Sequence, residues 1–152
     1  MDIFLDVMKK ADLNQIIKIE KEAFSNPWNI KFFKEELSYN TFSLYLTAKV
    51  NNEIVGYTGC WFKDHAKEIH IVNLAVKKEF RNNNIATYLI NEIINMAKTV
   101  NFNKITLEVR ASNTKAINLY KKFDFINAEI IPNYYLDNKE DAILMIKEFK
   151  NE

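Results

Sequence analysis

The sequence is poor in glycine, which occurs only at Gly56 and Gly59 among its 152 residues. Average usage of roughly 7% would give about ten glycines, and asparagine is abundant instead. Asparagine is the residue that best replaces glycine where the main chain enters the left-handed region. We therefore expect asparagines to occupy turns that would otherwise need glycine.

Cysteine and long apolar segments are also scarce. The single cysteine, Cys60, excludes a disulfide framework within the chain and is typical of a reducing compartment. Acidic Asp2 and Asp6 interrupt the first apolar residues, so we expect no signal peptide. No apolar run approaches the roughly 18 residues that a membrane helix needs. The expected compartment is the cytoplasm, without membrane binding.

No charge of one sign dominates the chain, which has 21 Lys and Arg against 20 Asp and Glu. The net charge of +1 gives no indication of direct nucleic-acid binding. A length of 152 residues with 48% hydrophobic residues fits one domain over 1–152 that buries its own core. No repeat, linker or low-complexity tract divides the sequence.

The hydrophobic periodicity predicts both helices and strands. Between 84 and 100, apolar residues recur every four positions, which is typical of an amphipathic helix, whereas apolar and polar residues alternate from 104 to 110. The segment 68–76 is apolar on both faces, which indicates a central strand. The predicted strands are 3–8, 43–50, 53–63, 68–76, 104–110, 125–131 and 141–149, and the predicted helices begin at 12 and cover 31–39, 84–100 and 113–123.

Two local signals accompany these elements. Asn51 and Asn52 separate two strand-like segments and indicate a tight hairpin turn. Asp12, followed three residues later by Gln15, resembles a capping box at a helix start. The order of elements predicts an α/β (α+β) fold with a mixed sheet and helices on its faces.

A polar turn lies between the central strand and the amphipathic helix, where residues 80–86 read Phe-Arg-Asn-Asn-Asn-Ile-Ala. The unpaired N–H groups and positive dipole end of a helix suit a pyrophosphate, and Arg81 would add a fixed charge. Asparagines before a helix are also ordinary caps. This segment alone therefore leaves an anion site and a plain helix cap open.

Together with Asn73-Leu74-Ala75-Val76 before it, the turn resembles the acetyl-CoA motif of the GNAT superfamily of N-acetyltransferases. Further segments resemble one subfamily, the bacterial ribosomal-protein alanine N-acetyltransferases (RimI), in the family's order and spacing, at 23–28, 107–113, 116–125, 133–135 and 140–142. Asn84 and Asp124 stand where the family usually has glycine. Both residue types tolerate the left-handed region, so we expect the turn at Asn84 to form, with the phosphate approaching slightly less closely.

The resemblance implies a GNAT fold, with a mixed, mostly antiparallel sheet of about seven strands and helices on both faces. It implies an enzyme that moves the acetyl group of acetyl-CoA, a cosubstrate, to the α-amino group of a protein, by direct attack in a ternary complex and without a metal. The implied acceptor is the N-terminal alanine of the eighteenth small-subunit ribosomal protein. Such an enzyme would be a monomer or a weak homodimer.

Two residues are expected to carry the chemistry. An α-amino group has a reference pKa of roughly 7.7–8.0, against about 10.4 for lysine, so a carboxylate can remove its proton near neutral pH. Glu108 matches the subfamily's glutamate in a Leu-Glu-Val-Arg segment and is the expected base; a solvated edge carboxylate is the alternative. Tyr120 matches the tyrosine that points at the CoA sulfur and is the expected acid; a core aromatic is the alternative.

The resemblance also implies the binding residues. Asn113 matches a CoA-contacting asparagine of the family, and a plain helix N-cap is the alternative. For Trp28, a residue that packs between helices is the alternative to acceptor binding. The expected cofactor-binding residues are Leu74, Ala75 and Val76, whose main chain would act like an oxyanion hole, with Arg81, Asn82, Asn83, Asn84, Ile85, Ala86 and Asn113. The expected acceptor-binding residues are Tyr134 and Tyr135, with Asn26 and Trp28 on the opposite wall.

Other reactive side chains indicate no site. Cys60 has no motif neighbour and is expected to be a buried structural thiol, and His65 and His70 lack zinc-ligand spacing. Two further functions stay open: an acetyltransferase for a small amine or an antibiotic, and a CoA-binding module without catalysis. The segments at 26–28 and 134–135 favour a peptide acceptor, and the presence of both Glu108 and Tyr120 favours catalysis.

Overall fold

The computed structural model describes residues 1–150, which form a central sheet with helices on both faces. The strands are β1 (Phe4–Val7), β2 (Ser43–Val50), β3 (Glu53–Lys63), β4 (Glu68–Val76), β5 (Lys104–Arg110), β6 (Ile126–Ile131) and β7 (Ala142–Glu148). The α-helices are α1 (Leu13–Ala23), α2 (Ile30–Tyr39), α3 (Ile85–Thr99) and α4 (Thr114–Lys122), with short 3-10 turns at Lys10–Asp12, Asp64–Ala66 and Lys78–Phe80.

The seven strands follow the order β1-β2-β3-β4-β5-β7-β6. In the part of the chain that the structure describes, β4 and β5 are the one parallel pair. The prediction of a mixed, mostly antiparallel sheet with β4 at its centre is therefore confirmed. The bounds of β2, β3, β4 and β5 are those read from the sequence.

Helices cover both faces because the side chains of the inner strands alternate between two apolar surfaces. On β3, Ile54 and Tyr57 pack in one cluster with residues of α1 and α2. Val55, between them, packs on the other side with Ile85 and Leu89 of α3. A bulge at Val55, opposite Ala48 and Lys49, puts Ile54 and Tyr57 on the same face although they are three residues apart. β3 is therefore buried on both sides. No helix within residues 1–150 has the length and apolar composition needed to cross a membrane.

The left-handed positions are occupied mostly by asparagine, as expected from the shortage of glycine. Nine non-glycine residues in the described chain have positive φ, and they include Asn51, Asn52, Asn82, Asn84 and Asp124. The two glycines have ordinary φ and serve close packing instead. A Cβ at Gly59 would overlap the buried Tyr45 ring, and one at Gly56 would lie 3.1 Å from the Ala75 carbonyl oxygen.

The predicted capping box at Asp12 and Gln15 is wrong. A 3-10 turn precedes α1, and the Asp12 carboxylate accepts from Lys9 N at 2.8 Å, which closes that turn. The Gln15 side chain accepts from Ile54 N on β3 at 3.2 Å. Both side chains are therefore committed to neighbours outside the first turn of α1.

The feature that creates the site is the divergence of β4 from β5. The two strands pair from Glu68 and Lys104 as far as Ile71 and Leu107. Beyond that point β4 pairs with β3 alone and β5 with β7 alone. A register shift between β3 and β4 leaves Val72 without a partner at the same level. Such bulges bend a strand, so the bulge accounts for the turning away of β4.

Candidate active site

A cavity of about 590 Å³ opens between the diverging ends of β4 and β5. The loop after α1, the first residues of α4 and the loop between β6 and β7 complete its walls. The cavity brings together eight of the residues predicted from the sequence: Asn26, Trp28, Leu74, Glu108, Asn113, Tyr120, Tyr134 and Tyr135. Ala75, Val76 and the segment 81–86 lie outside its lining.

Glu108 projects into this cavity because of the alternation along β5. Leu107 and Val109 point into the core, 2% and 6% exposed, and leave Glu108 on the other face. β5 lies between β4 and β7 in the sheet, and at Glu108 it pairs with β7 alone, because the pairing with β4 ends at Leu107. Glu108 Oε2 lies 2.7 Å from Nε2 of His70. The carboxylate that lines the cavity is therefore held against an imidazole behind it.

His70 is a neighbour of Glu108 that the sequence analysis missed. Its Nδ1 lies 2.6 Å from Oγ1 of Thr106, the residue opposite it on β5. The sequence shows Glu68 and His70 two residues apart on β4, and Thr106 and Glu108 two apart on β5. Which of them lie side by side depends on the register of the two strands, which only the fold gives. Residues 1–150 contain no group of three possible metal ligands.

Tyr120 is both a core aromatic and a cavity residue. Its ring packs edge-on against Phe125 with centroids 5.5 Å apart, and the residue is 7% exposed. Burial, followed by the nearby Cys60 and Tyr135, raises the pKa of the Tyr120 hydroxyl well above its ordinary value. A tyrosine with a raised pKa stays protonated at neutral pH and can donate a proton.

Asn113 lines the cavity and also caps α4. Its Oδ1 accepts from Ala116 N at 3.2 Å, which is the ordinary N-cap arrangement. Asn113 is therefore an N-cap and a cavity residue at once. Its side-chain oxygen is committed to the helix.

The turn before α3 has the left-handed geometry expected of it. Asn82 and Asn84 have φ values of 65° and 63°. The side chain of Asn84 makes no cap hydrogen bond, so the idea that it also acts as a side-chain cap is wrong. Asn83 Nδ2 donates to the Phe80 and Arg81 carbonyls, and Arg81 Nε donates to Val76 O at 3.2 Å. The first amides of α3 thus receive no cap from Asn84.

Arg110, also missed from the sequence, ties the two loops that border the cavity. Its guanidinium donates to Asp137 at 2.9 Å and lies 4.0 Å from the centre of the Tyr135 ring. Asp137 accepts in turn from Ser25 Oγ at 2.6 Å, which links the loop after α1 to the β6–β7 loop. Hydrogen bonds from Ser25 and Arg110 lower the pKa of Asp137.

A buried carboxylate supports the opposite wall. Glu20 of α1 is 2% exposed. It accepts hydrogen bonds from Trp28 N and Asn73 Nδ2, both at 2.8 Å, and from the Tyr57 hydroxyl. The Trp28 ring packs 4.3 Å from Phe32, so Trp28 is a packing residue as well as part of the cavity wall.

Cys60 is a buried thiol, as the sequence analysis expected. The thiol is 1% exposed, and burial raises its pKa to about 12. A thiol that stays protonated is a poor nucleophile. Its place in the apolar cluster beneath β4 and β5 is that of a structural residue.

Comparison with known proteins identifies the family. Residues 13–125 match the model of the Acetyltransferase (GNAT) family. The chain belongs to this family. A Bacillus subtilis relative with the provisional name ribosomal protein bS18-alanine N-acetyltransferase is 34% identical over 138 residues, covering 91% of this chain and 90% of that one. An N-alpha-acetyltransferase of Sulfolobus acidocaldarius is 36% identical over 146 residues, covering 89% and 86%.

The fold agrees with this assignment. The crystal structure of the ribosomal-protein-S18-alanine N-acetyltransferase from Escherichia coli superposes with a TM-score of 0.89 at 26% identity, covering 99% of this chain and 96% of that one. The expected GNAT fold and RimI-like resemblance are confirmed. This GNAT protein is an N-acetyltransferase, and the expectation that it is an enzyme is confirmed with it.

We expect Asn84→Ala to destabilise this acetyltransferase by about 1 kcal/mol, because alanine costs about 1–2 kcal/mol in the left-handed region. Asn84→Gly should be at least as stable as the natural chain, since glycine has no Cβ to clash. Urea unfolding measures both. The matched control is Asn91→Ala on the exposed face of α3, which should stabilise slightly through helix propensity. An Asn84→Ala variant as stable as the natural chain would contradict this account of the turn.

Proposed function

We propose that this acetyltransferase moves the acetyl group of acetyl-CoA to the α-amino group of a protein, in the cavity between β4 and β5. One observation carries the proposal: Glu108, held 2.7 Å from His70, and Tyr120 line the same cavity. A proton acceptor and a proton donor in one cavity are what acyl transfer from a thioester to an amine needs.

Glu108 is the proposed base, with His70 as its partner. The acceptor arrives as an ammonium group, and its proton must leave before the nitrogen lone pair can attack the thioester carbonyl. An α-amine releases that proton far more readily near neutral pH than a lysine side chain does. The carboxylate of Glu108 would accept it, directly or through a water molecule.

Tyr120 is the proposed acid for the leaving group. Collapse of the tetrahedral intermediate releases the thiolate of CoA, whose protonation completes the reaction. Because burial keeps the Tyr120 hydroxyl protonated, it can supply that proton. The packing of its ring against Phe125 holds the hydroxyl-bearing end in place.

The residues around the start of α3 suit the cosubstrate. The first amides of a helix and its positive dipole end favour a pyrophosphate, and Asn84 does not cap these amides. We assign the phosphates to residues 81–86, and the thioester to the main chain of Leu74, Ala75 and Val76, where β4 has no partner on its β5 side. Asn113 is assigned to CoA as well. No metal has a part in this scheme.

The proposed acceptor is the N-terminal alanine of ribosomal protein bS18, a protein that the enzyme would meet in the cytoplasm. The names of the Bacillus and Escherichia proteins support this choice, and the archaeal relative supports α-amino groups more generally. Tyr134 and Tyr135 on one wall, with Asn26 and Trp28 on the other, would contact the first residues of the acceptor.

The direct test is release of CoA from acetyl-CoA in the presence of a peptide with the bS18 N-terminal sequence. We expect turnover with the free N-terminal alanine and none with the same peptide blocked at that amine. A polyamine serves as a competing small acceptor. A polyamine that is acetylated faster than the free peptide would overturn the assignment of a protein acceptor.

We expect Glu108→Gln to lower kcat by about 10²–10⁴-fold, the usual cost of losing a general base. The amide keeps the shape of the side chain but cannot take the proton. Affinity for acetyl-CoA, followed by calorimetry, should change little. Glu129→Gln on the exposed strand β6 is the matched control and should retain full activity. If Glu108→Gln lost acetyl-CoA binding to the same degree as turnover, Glu108 would be a structural residue.

A further inference from the structure

Two glutamates on the helices of one sheet face are buried, and only one of them belongs to the cavity. Glu20 of α1 is 2% exposed and Glu36 of α2 is 8% exposed. Within residues 1–150 neither carboxylate has an ion pair, so hydrogen bonds alone must offset the cost of burying its charge. Glu20 lines the cavity, and Glu36 is outside its lining. The two residues can therefore be compared, one at the site and one away from it.

The groups that contact the Glu20 carboxylate are all hydrogen-bond donors. Trp28 N donates to Oε2 at 2.8 Å, and Asn73 Nδ2 donates to Oε1 at 2.8 Å. The Tyr57 hydroxyl also donates to Oε1, and its oxygen accepts the second amide hydrogen of Asn73 at 3.2 Å. A main-chain N–H cannot accept. The set of bonds therefore closes with Glu20 ionised.

These bonds join two walls of the cavity. Trp28 belongs to the loop after α1, which we assign to the acceptor. Asn73 lies on β4 beyond the last residue paired with β5, directly before Leu74 of the segment assigned to the thioester. Glu20 therefore holds the main chain of the acceptor loop against the strand assigned to the acetyl group.

Packing alone gives no reason for a carboxylate at position 20. The other buried residues of α1 are Leu13, Ile16 and Ile19, and all three are apolar. An apolar residue at position 20 would continue this face, but it would leave the N–H of Trp28 without its acceptor. What Glu20 adds is therefore the position of the main chain at Trp28.

The loop has further anchors besides Glu20. Ser25 Oγ donates to Asp137 on the opposite wall at 2.6 Å. The Trp28 ring packs against Phe32, with the ring centroids 4.3 Å apart. A change at Glu20 should therefore displace the main chain at Trp28 without unfolding the loop.

We propose that Glu20 is a positioning residue that sets the acceptor loop at the correct distance from β4, so that the acceptor amine meets the thioester. The inference rests on the proposed function. Glu20 takes no proton in the reaction, and that part stays with Glu108. Its contribution is geometric, and a displacement of about 1 Å can cost about 10²-fold in rate.

The structural test is hydrogen exchange of the Trp28 main-chain amide, followed by NMR. Glu20→Asp keeps the charge but is one methylene too short to keep the bonds to Trp28 and Asn73 together, so the amide should lose protection. Glu20→Gln keeps the length. Its oxygen can accept from Trp28 N if Tyr57 and Asn73 turn to accept from its NH2 group, so protection should remain.

Glu36→Asp is the matched control. Glu36 accepts from the Tyr45 hydroxyl and from Trp61 Nε1, both at 2.6 Å, so this variant disturbs a similarly buried carboxylate away from the cavity. Exchange of the Trp61 indole hydrogen should become faster, and exchange of the Trp28 amide should not change. Urea unfolding shows that each variant is folded under the assay conditions.

Kinetics with the alanine peptide give the functional test. We expect Glu20→Asp to lower kcat/KM for the peptide by about 10–100-fold, with the affinity for acetyl-CoA unchanged in calorimetry. Glu20→Gln should retain most of kcat/KM, although it has lost the charge. Glu36→Asp should retain all of it. A role confined to stability would move none of these values, and a role for the charge would make Glu20→Asp the more active variant.

Two results would overturn the proposal. One is a Glu20→Gln variant no more active than Glu20→Asp. The other is a loss of kcat/KM in Glu36→Asp as large as that in Glu20→Asp. Failure of the proposed function is seen separately, as an absence of peptide acetylation by the natural enzyme, whereas the exchange measurement needs no turnover.

Discussion

The site depends on one constraint, the end of the β4–β5 pairing at Ile71 and Leu107. Up to that point the two strands share hydrogen bonds and an apolar core beneath them. Beyond it, the strands separate, and main-chain groups that a closed sheet would satisfy face an open cavity. The bulge at Val72, opposite Gly59 and Cys60, bends β4 at this level. A closed pairing of the two strands would leave no cavity between them.

The divergence of β4 and β5 also brings the proposed base and acid, Glu108 and Tyr120, into one cavity. The parallel segment lines up the polar residues of the two strands behind the cavity, and the last of them, Glu108, reaches the opening. Helix α4 follows the free end of β5 and places Tyr120 in the cavity lining. Arg110 and Glu20 then fasten the loops on either wall. Strands and helices form the scaffold, and loops form two walls of the cavity.

Much of this could be read from the sequence, because the elements have strong periodic patterns. Alternation along residues 104–110 predicted the outward face of Glu108, and the replacement of glycine by Asn84 and Asp124 predicted the left-handed conformation at both positions. His70, Arg110 and Glu20 were missed. Their partners come from other strands or loops, and neither strand register nor loop contact is encoded locally. The Asp12 capping box failed for the same reason, since Gln15 bonds to β3.

The central claim is that the cavity serves the α-amino group of a chain end. The most direct measurement is tandem mass spectrometry of a peptide that offers a free N-terminal alanine and an internal lysine, after incubation with the enzyme and acetyl-CoA. The account predicts a single acetyl group, on the alanine nitrogen, because that amine loses its proton more readily and the walls bind the residues that follow it. Acetylation of the lysine with the N-terminus left free would contradict it.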